Sequence, residues 1–168
     1  MPITELLKKI DNYKKIFSIE NFTEILIDVF FESGTIEDDF IDIIQTRLYD
    51  EGTDADNRKL RTASAIGTGF YSPYTMHIKE SNGQKISNVT LKDEGDFYDS
   101  MDGRVKRNEW KLIADFGDMF ENFSNMYSNE TKFKNKILDL SEPEKINYIR
   151  TEILPDFLLY LKQQINNV

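Results

Sequence analysis

The stretch VTLKDEGDFYDSM, Val89 to Met101, changes its hydrophobic period in mid-run, and that change restricts the fold more than any other feature of the chain. Val89 and Leu91 alternate with the polar Thr90 and Lys92, which is the two-residue period of a strand. Beyond Asp93-Glu94-Gly95 the apolar residues are Phe97 and Met101, four apart, which is helical spacing. The corner between them suits Gly95 in a conformation with positive φ. In this reading Val89 and Leu91 join a sheet, while Phe97 and Met101 anchor a short helix on the core. A chain that couples strand to helix so abruptly belongs to the α+β class.

The flanking sequence fills in the architecture. Leu6, Leu7 and Ile10 give an apolar stripe to a helix over residues 4–16. Phe22, Ile25, Leu26, Val29 and Phe30 give one to a second helix, which ends at Ser33-Gly34. Ile36, Phe40, Ile43, Ile44 and Leu48 mark a third, with Thr35 and Asp38 resembling a capping pair. Its opposite face carries Glu37, Asp38, Asp42 and Gln45. From Glu51 to Tyr71 periodicity is lost in a segment rich in Gly, Thr, Ser and Asp. That segment is longer than an ordinary connection and is expected to be a projecting, mobile loop. Ser72-Pro73 then opens a helix that Asn82-Gly83 closes.

After the joint, Val105 on one arm and Trp110, Leu112 and Ala114 on the other suit a β-hairpin. FGDMFENFSNMYS reads as a helix with Phe116, Met119, Phe120 and Phe123 inward. Ile137, Leu138 and Leu140 form a short apolar segment. Ser141 and Glu144 make a capping box for a last helix reaching Ile165. That helix buries Ile146, Ile149, Ile153, Leu154, Phe157, Leu158 and Leu161, and Pro155 kinks it near Arg150 and Thr151. The expected whole is α+β: amphipathic helices packed on a small antiparallel sheet with a projecting hairpin and a long loop. It is read as one domain over residues 1–168, helical over residues 1–50, a loop over 51–71 and α+β over 72–168. Such a length buries roughly 70% of the unfolded chain's surface without a staple.

Charge and chemistry narrow the function. The net charge is −9, and between Glu20 and Asn57 twelve acidic residues face a single base, Arg47. Such a face repels phosphate, so nucleic-acid binding through it is disfavoured. It is either a solvated helix surface or a partner surface. There is no cysteine, which removes disulfides, thiolate metal sites and thiol catalysis. Neither a leader peptide nor an apolar run of membrane-spanning length is visible, so a soluble, unanchored protein is expected.

The one histidine, His77, has no nucleophile signature beside it and reads as a surface or boundary residue. DEGTDADN fails the calcium-loop pattern in both registers: counting from Asp50 the sixth position is Ala55, and counting from Asp54 it is Lys59. It therefore reads as an acidic turn. GTGF, Gly67 to Phe70, lacks the lysine of a phosphate loop. A carboxylate pair for glycoside hydrolysis cannot be picked out from 30 acids. The basic residues Arg104, Lys106, Arg107 and Lys111 with Trp110 read as a hairpin tip, with contact to phosphate or an acidic partner as the alternative. No enzyme activity, cofactor or metal is expected.

Taken in order, LKDEGDFYDSM, the hairpin ending in WKLIADF, and ILDLSEPEKINYIRTEILPDFLLYLKQQ resemble the tail-completion, or virion-morphogenesis, proteins of tailed bacteriophages. Those proteins resemble one another in an L-x-D/T-x-G-x-L/F-x-x-S joint, a following hairpin, and an apolar segment leading into a capped C-terminal helix. Leu91, Asp93, Gly95, Phe97 and Ser100 match the joint, and Leu138 to Ser141 match the apolar segment. YDEGTDADNRKL and YSPYT also resemble a segment of phage proteins from gut bacteria, crAss-like phages included. The resemblance covers residues 47–165.

It implies a structural virion protein that forms a neck or tail-connector ring between portal and tail. Implied partners are further copies in a ring of about six or twelve, and portal, adaptor or tail proteins. DNA would pass through without sequence-specific binding, and no membrane is involved. Implied localisation is the virion neck or tail, with assembly in the host cytoplasm. The assembly candidates are Leu91, Asp93, Gly95 and Phe97 in the joint, Arg104, Lys106, Arg107 and Trp110 in the hairpin, and Glu37, Asp38 and Asp42 on the acidic helix. The competing reading is a small non-enzymatic adaptor whose acidic helical face binds a basic partner.

Overall fold

The computed structural model describes residue 8, residues 35–106 and residues 109–166. The two helices expected over residues 4–16 and 22–30 therefore lie outside the described residues, apart from residue 8, which is helical. In chain order the elements are α1 (Thr35–Thr46), a π turn (Arg47–Glu51), α2 (Pro73–Ser81), α3 (Asp96–Asp99), β1 (Asp102–Lys106) and β2 (Glu109–Ile113). A 3-10 turn (Met119–Phe123), α4 (Glu130–Leu138), α5 (Glu142–Tyr148), a second π turn (Ile149–Ile153) and α6 (Leu154–Asn166) follow. Helices with one two-stranded antiparallel sheet make the fold α+β. No described helix is long and apolar enough to cross a membrane. The residues group into two compact units, 37–144 on the one hand and 1–36 with 145–168 on the other.

The core of unit 37–144 is aromatic. Phe133 on α4 is fully buried, and the rings of Phe116, Phe123 and Tyr127 lie 5.4, 5.2 and 5.2 Å from it. Phe97 extends the cluster, 5.0 Å from Phe116. Ile44 and Leu48 enter this core from the apolar stripe of α1 and its π turn, as the spacing predicts. Ser72 caps α2 by accepting from the Thr75 N–H at 3.1 Å, with Pro73 at the first helical position. The capping box also forms: Ser141 N–H donates to Glu144 Oε2 at 2.6 Å, and Glu144 N–H to Ser141 Oγ at 3.4 Å. The hairpin pairs Val105 with Trp110 and Gly103 with Leu112, and Leu112 is buried.

Four expectations need correction in this unit. Val89 and Leu91 are not in a strand, and Leu91 has φ +52°. The Phe116–Phe123 stretch forms only a short 3-10 turn, although Phe116 and Phe123 are buried as expected. The apolar segment Ile137–Leu140 is the end of a helix that starts at Glu130.

The loop after Gly52 does not project along its first half. Thr53, Asp54, Ala55 and Leu60 are buried, Ala55 N–H donates to Lys136 O at 2.9 Å, and Thr53 forms a bridge with Lys59. Residues 56–59 are exposed at the turn itself, and exposure resumes in the second half, where Ile66 is 69% exposed. The reason is Asp54. Its fully buried carboxylate accepts from the Asp56 and Arg58 N–H groups, from the Arg58 guanidinium at 2.6 and 2.9 Å, and from the Tyr127 hydroxyl at 2.8 Å. This replaces the missing apolar face as the force that orders the segment.

In the unit of residues 1–36 and 145–168, Tyr148 and Phe157 are buried. Ile146, Ile149, Leu154 and Leu158 are exposed rather than inward. The irregularity expected from Pro155 falls at Ile149–Ile153 as a π turn, closed by the Leu154 N–H to Ile149 O. A π turn carries one extra residue and so rotates everything after it by about 100° relative to a continuous helix. The single stripe drawn through Leu161 therefore loses its phase at this point.

Candidate functional site

The joint is held by side chains where a strand ladder would have held it. The Tyr71 hydroxyl accepts from Thr90 N–H at 3.0 Å, and the Tyr98 hydroxyl donates to Thr90 O. Thr90 thus has both main-chain groups taken, which leaves nothing for a neighbouring strand to pair with. Burial pushes both phenols above their ordinary value, most strongly at Tyr98. Both hydroxyls therefore stay protonated at neutral pH and can act as donors. Two side chains from α2 and the turn after it reach the next carbonyls. Lys79 Nζ donates to Lys92 O at 3.0 Å, and Gln84 Nε2 to Asp93 O at 2.9 Å.

Leu91 accepts positive φ inside this clamp, a conformation that costs a non-glycine residue of order 1–2 kcal/mol. Gly95 has φ +115°, as expected, and starts α3. Phe97, Tyr98 and Met101 are buried, and Ser100 Oγ accepts from Asp115 N–H at 2.8 Å. β1 begins at Asp102, immediately after. The last residue of the joint and the first of the hairpin are therefore covalent neighbours, and the clamp fixes where the hairpin starts.

The acidic helix meets the hairpin at one close approach. A Cβ built on Gly103 would stand 2.5 Å from Glu37 Cβ and 2.7 Å from Cγ. Glu37 is accordingly half-buried, and its Oε2 is buried without a hydrogen-bond partner among the described residues. It belongs to this packing contact and not to the exposed acidic face expected from sequence. Asp38 and Asp42 do stand exposed, one turn apart on α1. Of the remaining candidates, Leu91 is half-buried, Asp93 is exposed, and Gly95 and Phe97 are buried. Arg104, Lys106 and Trp110 lie on the two paired strands, and Arg107 lies outside the described residues.

Sequence reasoning missed Tyr71, Tyr98, Lys79, Gln84, Gly103, Asp54 and the pair Arg47–Glu144. Arg47 is buried and donates to Glu144 Oε2 at 2.7 Å and to Ile137 O at 3.0 Å. It ties the end of α1 to the junction of α4 and α5. A signal for it existed, because it is the lone base among twelve acids. Asp54 also left one, as an Asp followed by turn residues. Among the described residues, no group of three or more His, Cys, Asp or Glu is placed to hold a metal ion.

No protein-family model, no curated protein and no solved structure matches this chain.

Proposed function

We propose that this chain is a non-enzymatic structural subunit of a tailed-phage neck or tail connector, joining copies of itself into a ring between portal and tail. The observation that carries the reading is the wiring of the joint, whose residues carry the resemblance to tail-completion proteins. Thr90 is held at both main-chain groups, Leu91 and Gly95 take positive φ, and the hairpin leaves at once from Met101. A fixed launch angle is what a head-to-tail contact needs, because a ring closes only if each copy presents its projection at the same rotation.

The test combines native mass with virion incorporation. The purified protein, or particles carrying it, should show a many-copy closed oligomer. Gly95→Val adds a Cβ that would meet nothing closer than Asp99 Oδ2, at 3.8 Å. Its cost is therefore backbone strain of about 1 kcal/mol. It should lower the melting temperature slightly and impair incorporation markedly. A wild-type protein that is monomeric in solution and absent from particles would sink the proposal.

A second reading rests on Asp38 and Asp42, which are exposed on α1 and make no ion pair among the described residues. They suit an adaptor that meets a basic partner. Asp38→Asn with Asp42→Asn should then weaken that contact in low salt and leave fold stability within about 1 kcal/mol. A monomer or dimer that captures a basic protein favours this reading over the ring.

A further inference from the structure

Lys79 poses a problem that the joint does not solve. Lysine is almost never fully buried without a charged partner. Lys79 is only 7% exposed, yet no carboxylate lies within ion-pair distance of it among the described residues. Its Nζ contacts are neutral: Lys92 O at 3.0 Å, Gln84 Oε1 at 3.1 Å and the face of the Tyr71 ring at 5.4 Å. Asp93 lends its charge only from a distance, and burial outweighs it, lowering the lysine below its ordinary value.

The same lysine lines a cavity of about 440 Å³, whose walls are mainly apolar and include Ile78, Val89, Leu91 and Phe123. That volume lies within the range of about 300–1,000 Å³ usual for small-molecule sites. Tyr74, 75% exposed, and Ile78, 38% exposed, leave apolar surface at its rim. Leu91, held at φ +52°, also lines it. Strain of this kind persists where the surroundings over-determine it, and such positions gather at ligand sites.

We propose that this cavity binds an apolar monocarboxylate, with its tail against Ile78, Val89, Leu91 and Phe123 and its carboxylate on Lys79 Nζ. The ammonium has three N–H donors, and Lys92 O and Gln84 Oε1 take two of them, so the third is open to a charge-assisted bond to a carboxylate. Lys92 and Asp93 line the same cavity with charges that offset each other, so Lys79 supplies the net charge there and matches a ligand that carries one negative charge. This site goes beyond the ring proposal and does not depend on it.

Calorimetric titration of the whole chain with dodecanoate and with dodecanol, both below their aggregation limits, tests the assignment. Dodecanoate should bind at least about tenfold more tightly than dodecanol, as a charge-assisted bond at a buried site requires. The preference should fade as pH rises, and should do so before the ordinary lysine value of 10.5. Lys79→Met should abolish the preference. Ile78→Asp, an exposed rim change that keeps the fold, should weaken both ligands about tenfold.

Acetyl-leucyl-leucine against its C-terminal amide distinguishes a free acid from a peptide terminus as the source of the carboxylate. Tighter binding of the peptide acid than of dodecanoate assigns the terminus and supports the same chemistry. Equal affinities for acid and alcohol in the wild type overturn the proposal, as does absence of heat with every ligand. So does a preference that survives in Lys79→Met. Should that variant fail to fold, the wild-type pH profile and Ile78→Asp decide: a pH-independent preference, or a rim change without effect, overturns it.

Discussion

Replacing Asp54 by alanine removes a fully buried carboxylate and orphans every donor aimed at it. The consequences differ by donor. The Tyr127 hydroxyl is buried with the core, and among the described residues its acceptor is Asp54 Oδ2, 2.8 Å away. An unsatisfied buried hydroxyl costs about 1–3 kcal/mol. The Arg58 side chain is 42% exposed, so its charge returns to water and that pair contributes only about 0–1 kcal/mol. The Asp56 and Arg58 N–H groups belong to exposed residues and can be rehydrated, but their charge-assisted bonds are lost. Together these set the expected loss at about 3–4 kcal/mol, a large share of a domain's usual 5–15 kcal/mol.

Urea unfolding followed by circular dichroism measures it, with an unchanged slope confirming that the fold itself is retained. Asp54→Asn keeps one acceptor and should lose about 2 kcal/mol. A double-mutant cycle with Tyr127→Phe should return a coupling of about 1 kcal/mol, since both changes break the same bond. Trypsin provides the structural control. Arg58 and Lys59 should be cut slowly in the wild type and quickly in Asp54→Ala. A loss below about 1 kcal/mol, with the same cleavage rates in both, would show that Asp54 does not order the loop.

Three further outcomes follow from described contacts. Gly103→Ala places a methyl 2.5 Å from Glu37 Cβ, so α1 and the hairpin must separate; thermal melting should show a loss of about 1–3 kcal/mol, and Glu37→Gly in the same chain, which removes that Cβ, should lower the further cost of Gly103→Ala, whereas Glu37→Ala, which keeps it, should lower it less. Tyr98 and Tyr127 are both raised above the ordinary value of 10, chiefly by burial. The stability they contribute is complete below pH 10 and is lost as pH rises beyond it, so alkaline unfolding should be less steep in Tyr127→Phe. Asp56 is lowered from 3.8, first through its hydrogen bond from Lys136. Its contribution is present above that value and fades as pH falls below it. The pair is exposed, so the effect should be small and should vanish in high salt, which an acid titration of Lys136→Ala against wild type can measure.

What the sequence disclosed was what depends on neighbours in the chain. α1 was legible because Ile36, Phe40, Ile43, Ile44 and Leu48 repeat at helical spacing, and α2 because Ser72-Pro73 is a start signal in itself. The capping box of Ser141 and Glu144 is likewise complete within four residues. α4 was cut short because its buried side is only Phe133 and Ile137, set among Lys132, Lys134 and Lys136. Two apolar residues do not make a visible stripe, although each fills a core position completely.

Val89–Leu91 shows the opposite failure. Its alternation is genuine, but its backbone partners are hydroxyls 19 positions before and 8 positions after Thr90. Asp54 reads from sequence only as part of an acidic turn for the same reason, since Tyr127 lies 73 positions away. Of the proposed assembly set, Gly95 and Phe97 were placed correctly by local rules. Glu37 was misplaced because its burial depends on a glycine in the hairpin.

The clamp on the joint has an evolutionary consequence. A strand held by a ladder depends on main-chain groups that every residue except proline supplies, so its sequence can drift while its path stays fixed. Here the path of residues 90–93 depends on Tyr71, Tyr98, Lys79 and Gln84. Descendants of this chain should keep those four as a set or exchange them together, with substitution at one raising the rate of substitution at the others. Exchange of the set would turn the hairpin to a new angle without an insertion or deletion, and would give lineages a means of changing what the hairpin touches while the aromatic core is inherited intact.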